Sequence, residues 1–447
     1  MARPPALRLC LTGASPHAAP VAACAHATDR KIIVCLATNL GAAETLAEET
    51  GLLLQILTEA KPTARAVSEA DVATDSFDAE CDLLGALAEL RHGKHDSKRP
   101  LLLACSPGAL LRAAPAAQEL AEREVSITIG DKVNLQKIAE RLAAIGYTSE
   151  ALCERPGEYA IRGGILDVYP LNATEPSRVD CFGDTVESVR TFDPATQRSE
   201  NESVALVILG LGSQISSGRL LDHLPADTLI VATGGTAEHP AIAEALKGGI
   251  SLLAIEETDT TLAGLKSEPC PITSAEDLMV GAGTADTSLT RAAVLRAAAS
   301  RARDGRIVII AVDTEGAKER GSADAAEILG FKAQICLARI SAGSLVEPNQ
   351  LPGPLANGLV LLTERELFAR RRRTLASLPR RRTAQRSQVG HLLDFAELVE
   401  GDALVHATQG ICLFRGIRTF EVEGRPQEFL SLEFADKAML HLALRES

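Results

Sequence analysis

The loop Gly13–Pro20 has spacing that could serve phosphate chemistry. It reads GASPHAAP and follows a short apolar run. A working loop has the pattern G-x-x-x-x-G-K-S/T, in which backbone N–H groups and a lysine hold phosphates and a hydroxyl holds magnesium. Ala18, Ala19 and Pro20 stand here in place of the second glycine, the lysine and the hydroxyl residue. We predict a degenerate loop, marked by Gly13, Ala18, Ala19 and Pro20, without useful nucleotide hydrolysis; a loop that never bound phosphate predicts the same.

Other catalytic or metal-binding constellations are not found in the sequence. The nine histidines are scattered, the ten cysteines form no C-x-x-C pair, and no G-x-S-x-G motif occurs. We therefore expect no catalytic residues, no metal and no cofactor in this chain. The net charge of -13 argues against a chain that coats nucleic acid along its length. No apolar stretch of about 20 residues lacks charges, so no membrane partner is expected.

The pattern of apolar runs and turn residues along the sequence predicts a multidomain α/β chain. Short apolar runs such as ALRLCLT, KIIVCLA and LLLACS alternate with helical stretches, as buried parallel strands do. The pattern then changes to β, and SRVDCF and TVESVRTF flank Gly183-Asp184, a two-residue hairpin signal. We expect a degenerate P-loop-like parallel sheet, an inserted small β-rich domain, a second α/β domain and a C-terminal small β-barrel. The expected boundaries are 1–150, 151–210, 211–284, 285–368, 369–397 and 398–447.

The segment 369–397 carries eight arginines and no acidic residue between Arg370 and Arg386. One interpretation is a solvated linker between domains. The other is electrostatic contact with DNA or with an acidic protein face. The arginines assigned to such a contact are Arg370, Arg371, Arg372, Arg373, Arg380, Arg381 and Arg382.

Two stretches resemble a known family. GEYAIRGGILDVYP and EPSRVDCFGDTVESVRTFDPATQRS, together residues 157–199, resemble the UvrA-binding module shared by UvrB and the bacterial transcription-repair coupling factors. The degenerate loop favours the coupling factors, because UvrB keeps an intact one. VHATQGICLFRGIRTFEVEG resembles the RNA-polymerase-interacting domain of the same family. The segments 211–284 and 285–368 resemble the family only in pattern, the first as an accessory α/β segment and the second without a known role.

The resemblance implies which side chains bind partners. Arg162, Arg178 and Phe182 stand at the positions that form the UvrA-binding face of the family, and arginines beside an aromatic suit such an interface. The alternative is that Arg162 and Arg178 pair with Asp167 or Asp180 inside the domain. Replacing both arginines by alanine is expected to weaken UvrA binding and to leave folding nearly intact.

The C-terminal resemblance implies an RNA polymerase contact, with the beta subunit as the partner. Phe420 aligns with the apolar residue of an exposed edge strand, and strand addition is the expected binding mode.

The resemblance also implies that partner binding and motor activity lie in different segments of a longer protein. In the family an ATP-driven DNA translocase motor follows the polymerase-binding domain, so DNA and ATP would be bound by that motor and this chain would be no enzyme. Two interpretations stay open, a fragment of a longer coupling factor and a stand-alone motorless adaptor, and we favour the fragment. A third function is an excision-repair helicase like UvrB, which Ala18, Ala19 and Pro20 argue against. The cytoplasm is the expected compartment.

Overall fold

The computed structural model divides into two compact units, residues 1–193 with 198–381, and residues 194–197 with 382–447. In the part of the chain that the structure describes, no helix is both long enough and apolar enough to cross a membrane. The described residues are 6–69, 76–211, 216–278, 287–329, 333–368, 403–406, 410–422, 425–434 and 439–443.

The first part of the chain alternates strands and helices, as predicted. The apolar runs become strands whose residues are fully buried in β2 and β4. Its elements are β1 (Arg8–Thr12), α1 (Ala19–Ala27), β2 (Ile32–Leu36), α2 (Leu40–Thr58), β3 (Thr63–Val67), α3 (Ser76–His92), β4 (Leu101–Cys105), α4 (Pro107–Leu110), β5 (Ala113–Ala114), α5 (Ala117–Glu122), β6 (Glu124–Thr128) and α6 (Leu135–Ala144).

The inserted β-rich domain is a six-stranded sheet in the order β12-β11-β10-β9-β8-β7. Its pairs are antiparallel except β7 with β8. A further strand, β13, leaves the insert and pairs with β6. The strands are β7 (Thr148–Ser149), β8 (Glu158–Arg162), β9 (Ile165–Val168), β10 (Ser177–Phe182), β11 (Thr185–Phe192), β12 (Ser199–Ser203) and β13 (Ala205–Leu209).

The chain then returns to the first layer and completes its sheet. The sheet has seven parallel strands in the order β17-β1-β16-β15-β2-β4-β3. Alternate residues of β2 face two different cores: Val34 packs toward the inserted domain, and Ile33 packs toward the second α/β layer. The added elements are β14 (Gly218–Arg219), β15 (Leu229–Thr233), α7 (Pro240–Lys247), β16 (Ser251–Ile255) and β17 (Lys266–Pro269).

The second α/β layer is a mixed five-stranded sheet in the order β18-β21-β22-β19-β20. The strands formed by the stretches RIVIIAV and GLVLLTE pair in parallel at its centre, Ile309 opposite Leu361. Ile309 and Leu361 belong to the same buried cluster as Ile33 of the first sheet. Its elements are β18 (Ile272–Ser274), α8 (Thr287–Arg303), β19 (Ile307–Val312), α9 (Glu315–Leu329), β20 (Gln334–Leu337), β21 (Ser344–Val346), β22 (Leu359–Leu362) and α10 (Glu364–Phe368).

The C-terminal unit contains a four-stranded antiparallel meander in the order β23-β24-β25-β26. A β-rich C-terminal segment was expected from the sequence, and the closure of this meander into a barrel stays a prediction. Its strands are β23 (Ala403–His406), β24 (Gly410–Val422), β25 (Arg425–Phe434) and β26 (Met439–Ala443).

Candidate partner-binding face of the inserted β domain

Gly163 and Gly164, in the stretch IRGGILD, form the two-residue turn between β8 and β9. Gly163 has φ +61°, a left-handed conformation that side chains with a Cβ adopt reluctantly. A Cβ on Gly164 would lie 2.7 Å from the carbonyl oxygen of Cys181, and the Cys181 N–H donates to the Gly164 carbonyl at 2.8 Å. The glycines therefore let the tip of this hairpin lie directly against the end of β10.

The two glycines should differ in how they tolerate alanine. Gly163→Ala meets open space and only the backbone penalty, so we expect it to lower the free energy of unfolding by about 1–2 kcal/mol. Gly164→Ala must push apart two backbone segments and should be the more destabilising change. Urea unfolding of both variants tests which substitution lowers the free energy of unfolding more. Equal stability of the Gly164→Ala variant and the parent protein would contradict the close approach of the strands.

Strand register places Asp167 at the centre of one face of the sheet. Asp167 lies opposite Ala160 on β8 and opposite Arg178 on β10. Arg162 is opposite Ile165, two residues from Asp167 and therefore on the same face. The other face carries Leu166 and Val179, which are buried in the main core. Because successive side chains of a strand point to opposite faces, the sheet has one apolar face and one charged face.

Arg162 and Arg178 share the carboxylate of Asp167. Arg178 binds it through both oxygens, Nε to Oδ1 at 2.6 Å and Nη2 to Oδ2 at 2.9 Å, and Arg162 donates from Nη2 to Oδ2. The Asp167 side chain is 0% exposed, Arg178 is 18% exposed and Arg162 is 47% exposed. The hydrogen bonds to Asp167 raise the pKa of Arg178. Pairing inside the domain, the alternative left open by the sequence, therefore holds for both arginines, with Asp167 as their common partner.

Arg178 is held from a second side as well. Its guanidinium lies 4.9 Å from the centre of the Phe192 ring, a cation–π contact. Phe192 is fully buried in a small cluster with Cys153 and Tyr169. Arg178 is thus fixed between a carboxylate and an aromatic ring.

Phe182 ends β10 and is the most exposed large apolar side chain in the described part of the chain, at 76%. The predicted hairpin is confirmed: Gly183 and Asp184 form the turn, with Phe182 opposite Thr185. Because Cys181 packs against Gly164, Phe182 and Arg162 stand at the tips of adjacent hairpins. The structure therefore brings a ring and a half-exposed guanidinium to one edge of the domain.

Sequence reasoning missed Arg190, which is opposite Arg178 on β11. Its side chain is 40% exposed and lies 3.9 Å from Asp180 and 3.6 Å from Glu202. Asp180 also accepts a hydrogen bond from Ser188. Alternation counted outward from the Gly183–Asp184 turn would have placed Val189 opposite Arg178; the register shift between Asp180 and Cys181 is what brings Arg190 onto the charged face.

The degenerate loop follows β1 at the carboxyl end of the parallel sheet, and α1 begins at Ala19, within the predicted GASPHAAP segment. Ala18 caps α1 without a side-chain hydrogen bond, and Pro20 occupies its first turn. A cavity of about 510 Å³ lies beside this loop. Its described lining includes the carboxylates Glu49 and Glu257 and contains neither lysine nor arginine. This charge disfavours a bound polyphosphate, and the absence of nucleotide hydrolysis stays a prediction.

Phe420 lies in β24, opposite Gln427 of β25. β23 pairs with β24 only as far as Leu413, so in the described strands residues 417–422 are paired on one side. The role of Phe420 at an exposed edge strand stays a prediction. The seven arginines of the 369–397 segment that were assigned to a contact with DNA or an acidic face lie outside the described residues.

Two segments match family models. The UvrB interaction domain matches residues 125–211, and the CarD-like/TRCF RID domain matches residues 398–444. The resemblance to transcription-repair coupling factors is confirmed. The first match contains the charged face and both hairpin tips, and the second contains the β23–β26 meander and Phe420.

Curated relatives support the same resemblance over part of the chain. Transcription-repair-coupling factor of Bacillus subtilis is 28% identical over 190 residues, 42% of this chain and 16% of the relative. That of Myxococcus xanthus is 31% identical over 186 residues, 39% of this chain and 15% of the relative. That of Haemophilus influenzae is 32% identical over 136 residues, 30% of this chain and 12% of the relative. These matches span less than a fifth of each relative's length.

Proposed function

We propose that this chain acts in transcription-coupled DNA repair, by binding UvrA through the inserted β domain and RNA polymerase through the C-terminal meander. The observation that carries the UvrA assignment is the pair of adjacent hairpin tips, which expose Phe182 beside the half-exposed Arg162. Both residues lie inside the segment that matches the UvrB interaction domain. An exposed ring beside a guanidinium has the composition of a protein–protein hot spot.

The polymerase assignment rests on the second matched segment and on the one-sided pairing of residues 417–422. Such an edge can accept a strand from a partner through main-chain hydrogen bonds. The beta subunit of RNA polymerase is the partner proposed for this edge. In this proposal the chain binds its partners in the cytoplasm, whereas binding of ATP and translocation along DNA belong to a motor segment.

Two other functions have less support. A UvrB-like helicase would need a working phosphate loop, whereas the described lining of the cavity beside Ala19 and Pro20 includes two carboxylates and neither lysine nor arginine. A motorless adaptor would use the same two binding surfaces. A nucleotide-binding assay on the purified chain separates the helicase from the two binding proteins.

The UvrA assignment is tested by replacing the exposed ring. We expect Phe182→Ser to weaken UvrA binding by at least about thirtyfold, because loss of a central aromatic anchor typically costs 2 kcal/mol or more. Isothermal titration calorimetry with purified UvrA gives the dissociation constant. Val204→Ser is the matched control, since Val204 is also highly exposed, at 73%, and lies outside the hairpin tips. Equal losses for the two variants would contradict the assignment.

A further inference from the structure

Arg162 and Arg178, on the charged face of the inserted β domain, differ in their exposure and in how their hydrogen-bond donors are used. Arg178 uses Nε and Nη2 on Asp167, lies over Phe192 and is 18% exposed. Arg162 uses Nη2, while its Nε and Nη1 make no hydrogen bond within the described part of the chain, and it is 47% exposed. Only Arg162 therefore presents free donors beside Phe182.

We infer that Arg162 is the guanidinium that contacts UvrA, and that Asp167 and Arg178 are positioning residues that hold it in place. The inference rests on the proposed function and assigns separate roles to the two arginines. Arg178 sits directly opposite Asp167 in the strand register and fixes the carboxylate by a bidentate pair. The carboxylate in turn anchors one nitrogen of Arg162, which reaches Asp167 from the end of β8.

The charge balance of the triad identifies the chemistry of the partner. Two guanidinium groups share one fully buried carboxylate, and Asp180 adds a second negative charge near Arg178 and Arg190. Among the described residues Arg162 has no second carboxylate partner, so its half-exposed guanidinium keeps positive charge for a partner. An arginine with two free donors suits a carboxylate of the partner, which it can bind in bidentate fashion. Phe182 would enter an apolar pocket next to that carboxylate. The expected ligand on UvrA is therefore an acidic side chain at the rim of an apolar pocket.

A double-mutant cycle tests whether Asp167 acts through Arg162. The variants are Asp167→Asn, Arg162→Ala and both together, with UvrA affinity measured by calorimetry. We expect Asp167→Asn alone to weaken binding about tenfold and to add less than about twofold in the Arg162→Ala background, because residues that act through one contact are not additive. The matched control is Asp180→Asn on the same face, which should change affinity less than about twofold in either background.

Four results would overturn the inference. An equal loss from Asp167→Asn in both backgrounds would make Asp167 merely structural. Should Asp167→Asn fail to fold, Arg162→Lys decides: the inference expects weaker UvrA binding with an unchanged melting temperature, and parental affinity overturns it. If Phe182→Ser weakens binding while Arg162→Ala does not, the role of Arg162 is wrong although the proposed function stands. Absence of UvrA binding by the parent protein overturns both.

Discussion

The double variant Arg162→Ala with Arg178→Ala is expected to lose both UvrA binding and stability. Removing paired interfacial charges should weaken UvrA binding by roughly 2–5 kcal/mol. From the sequence alone, folding was expected to survive nearly intact. The structure changes that expectation, because Asp167 is 0% exposed and would be left buried without either guanidinium. Breaking a buried ion pair from one side costs about 3–5 kcal/mol of folding free energy.

A triple variant separates the two losses. Adding Asp167→Leu to the double variant removes the uncompensated carboxylate, and replacing a buried ionic cluster by apolar residues is often neutral for stability. We therefore expect urea unfolding of the triple variant to recover most of the lost stability, whereas calorimetry should still find UvrA binding weakened. Equal urea midpoints of the double variant and the parent protein would show that Asp167 does not depend on the arginines.

The local elements of the fold follow from sequence patterns. Helix α6, in the stretch NLQKIAERLAAIGY, begins after Asn134, whose side chain accepts from the Lys137 N–H, and stops before Gly146, which has φ +98°. The turn at Gly183 was predictable for the same reason, since its left-handed backbone is favourable for glycine. Caps and turns depend on residues a few positions apart, so the sequence alone suffices for them.

The charged cluster could not be resolved from the sequence, because it depends on non-local register. Asp167 and Asp180 were equal candidates for pairing with the arginines. The alignment of β9 with β10 decides between them by placing Arg178 opposite Asp167, while Asp180 is opposite Ile165. The β10–β11 pairing also shifts register between Asp180 and Cys181, an irregularity that residue types do not reveal. The strand order of the seven-stranded sheet could not be predicted for the same reason: β15 and β16 lie between β1 and β2, which precede them by some two hundred residues.

Phe420→Arg is expected to remove RNA polymerase binding and to leave UvrA binding unchanged. Phe420 lies in the stretch of β24 that is paired on one side among the described strands, so a partner strand would align beside it. In the complex, the new guanidinium would be desolvated and unpaired. Loss of an apolar anchor typically costs 2 kcal/mol or more of binding free energy, which is about thirtyfold in affinity. The proposed UvrA-binding face belongs to the other compact unit and should be unaffected.

The matched control for this prediction is Thr419→Arg, which adds the same charge one position earlier, opposite Glu428 in register. An arginine facing a glutamate across the strands is tolerated, so this variant should bind polymerase nearly as the parent does. Pull-down with purified RNA polymerase and calorimetry with UvrA, performed on the same preparations, give both readouts. Retained polymerase binding by Phe420→Arg would remove Phe420 from the interface. Loss of UvrA binding as well would indicate a folding defect, and the control would then show whether added charge alone causes it.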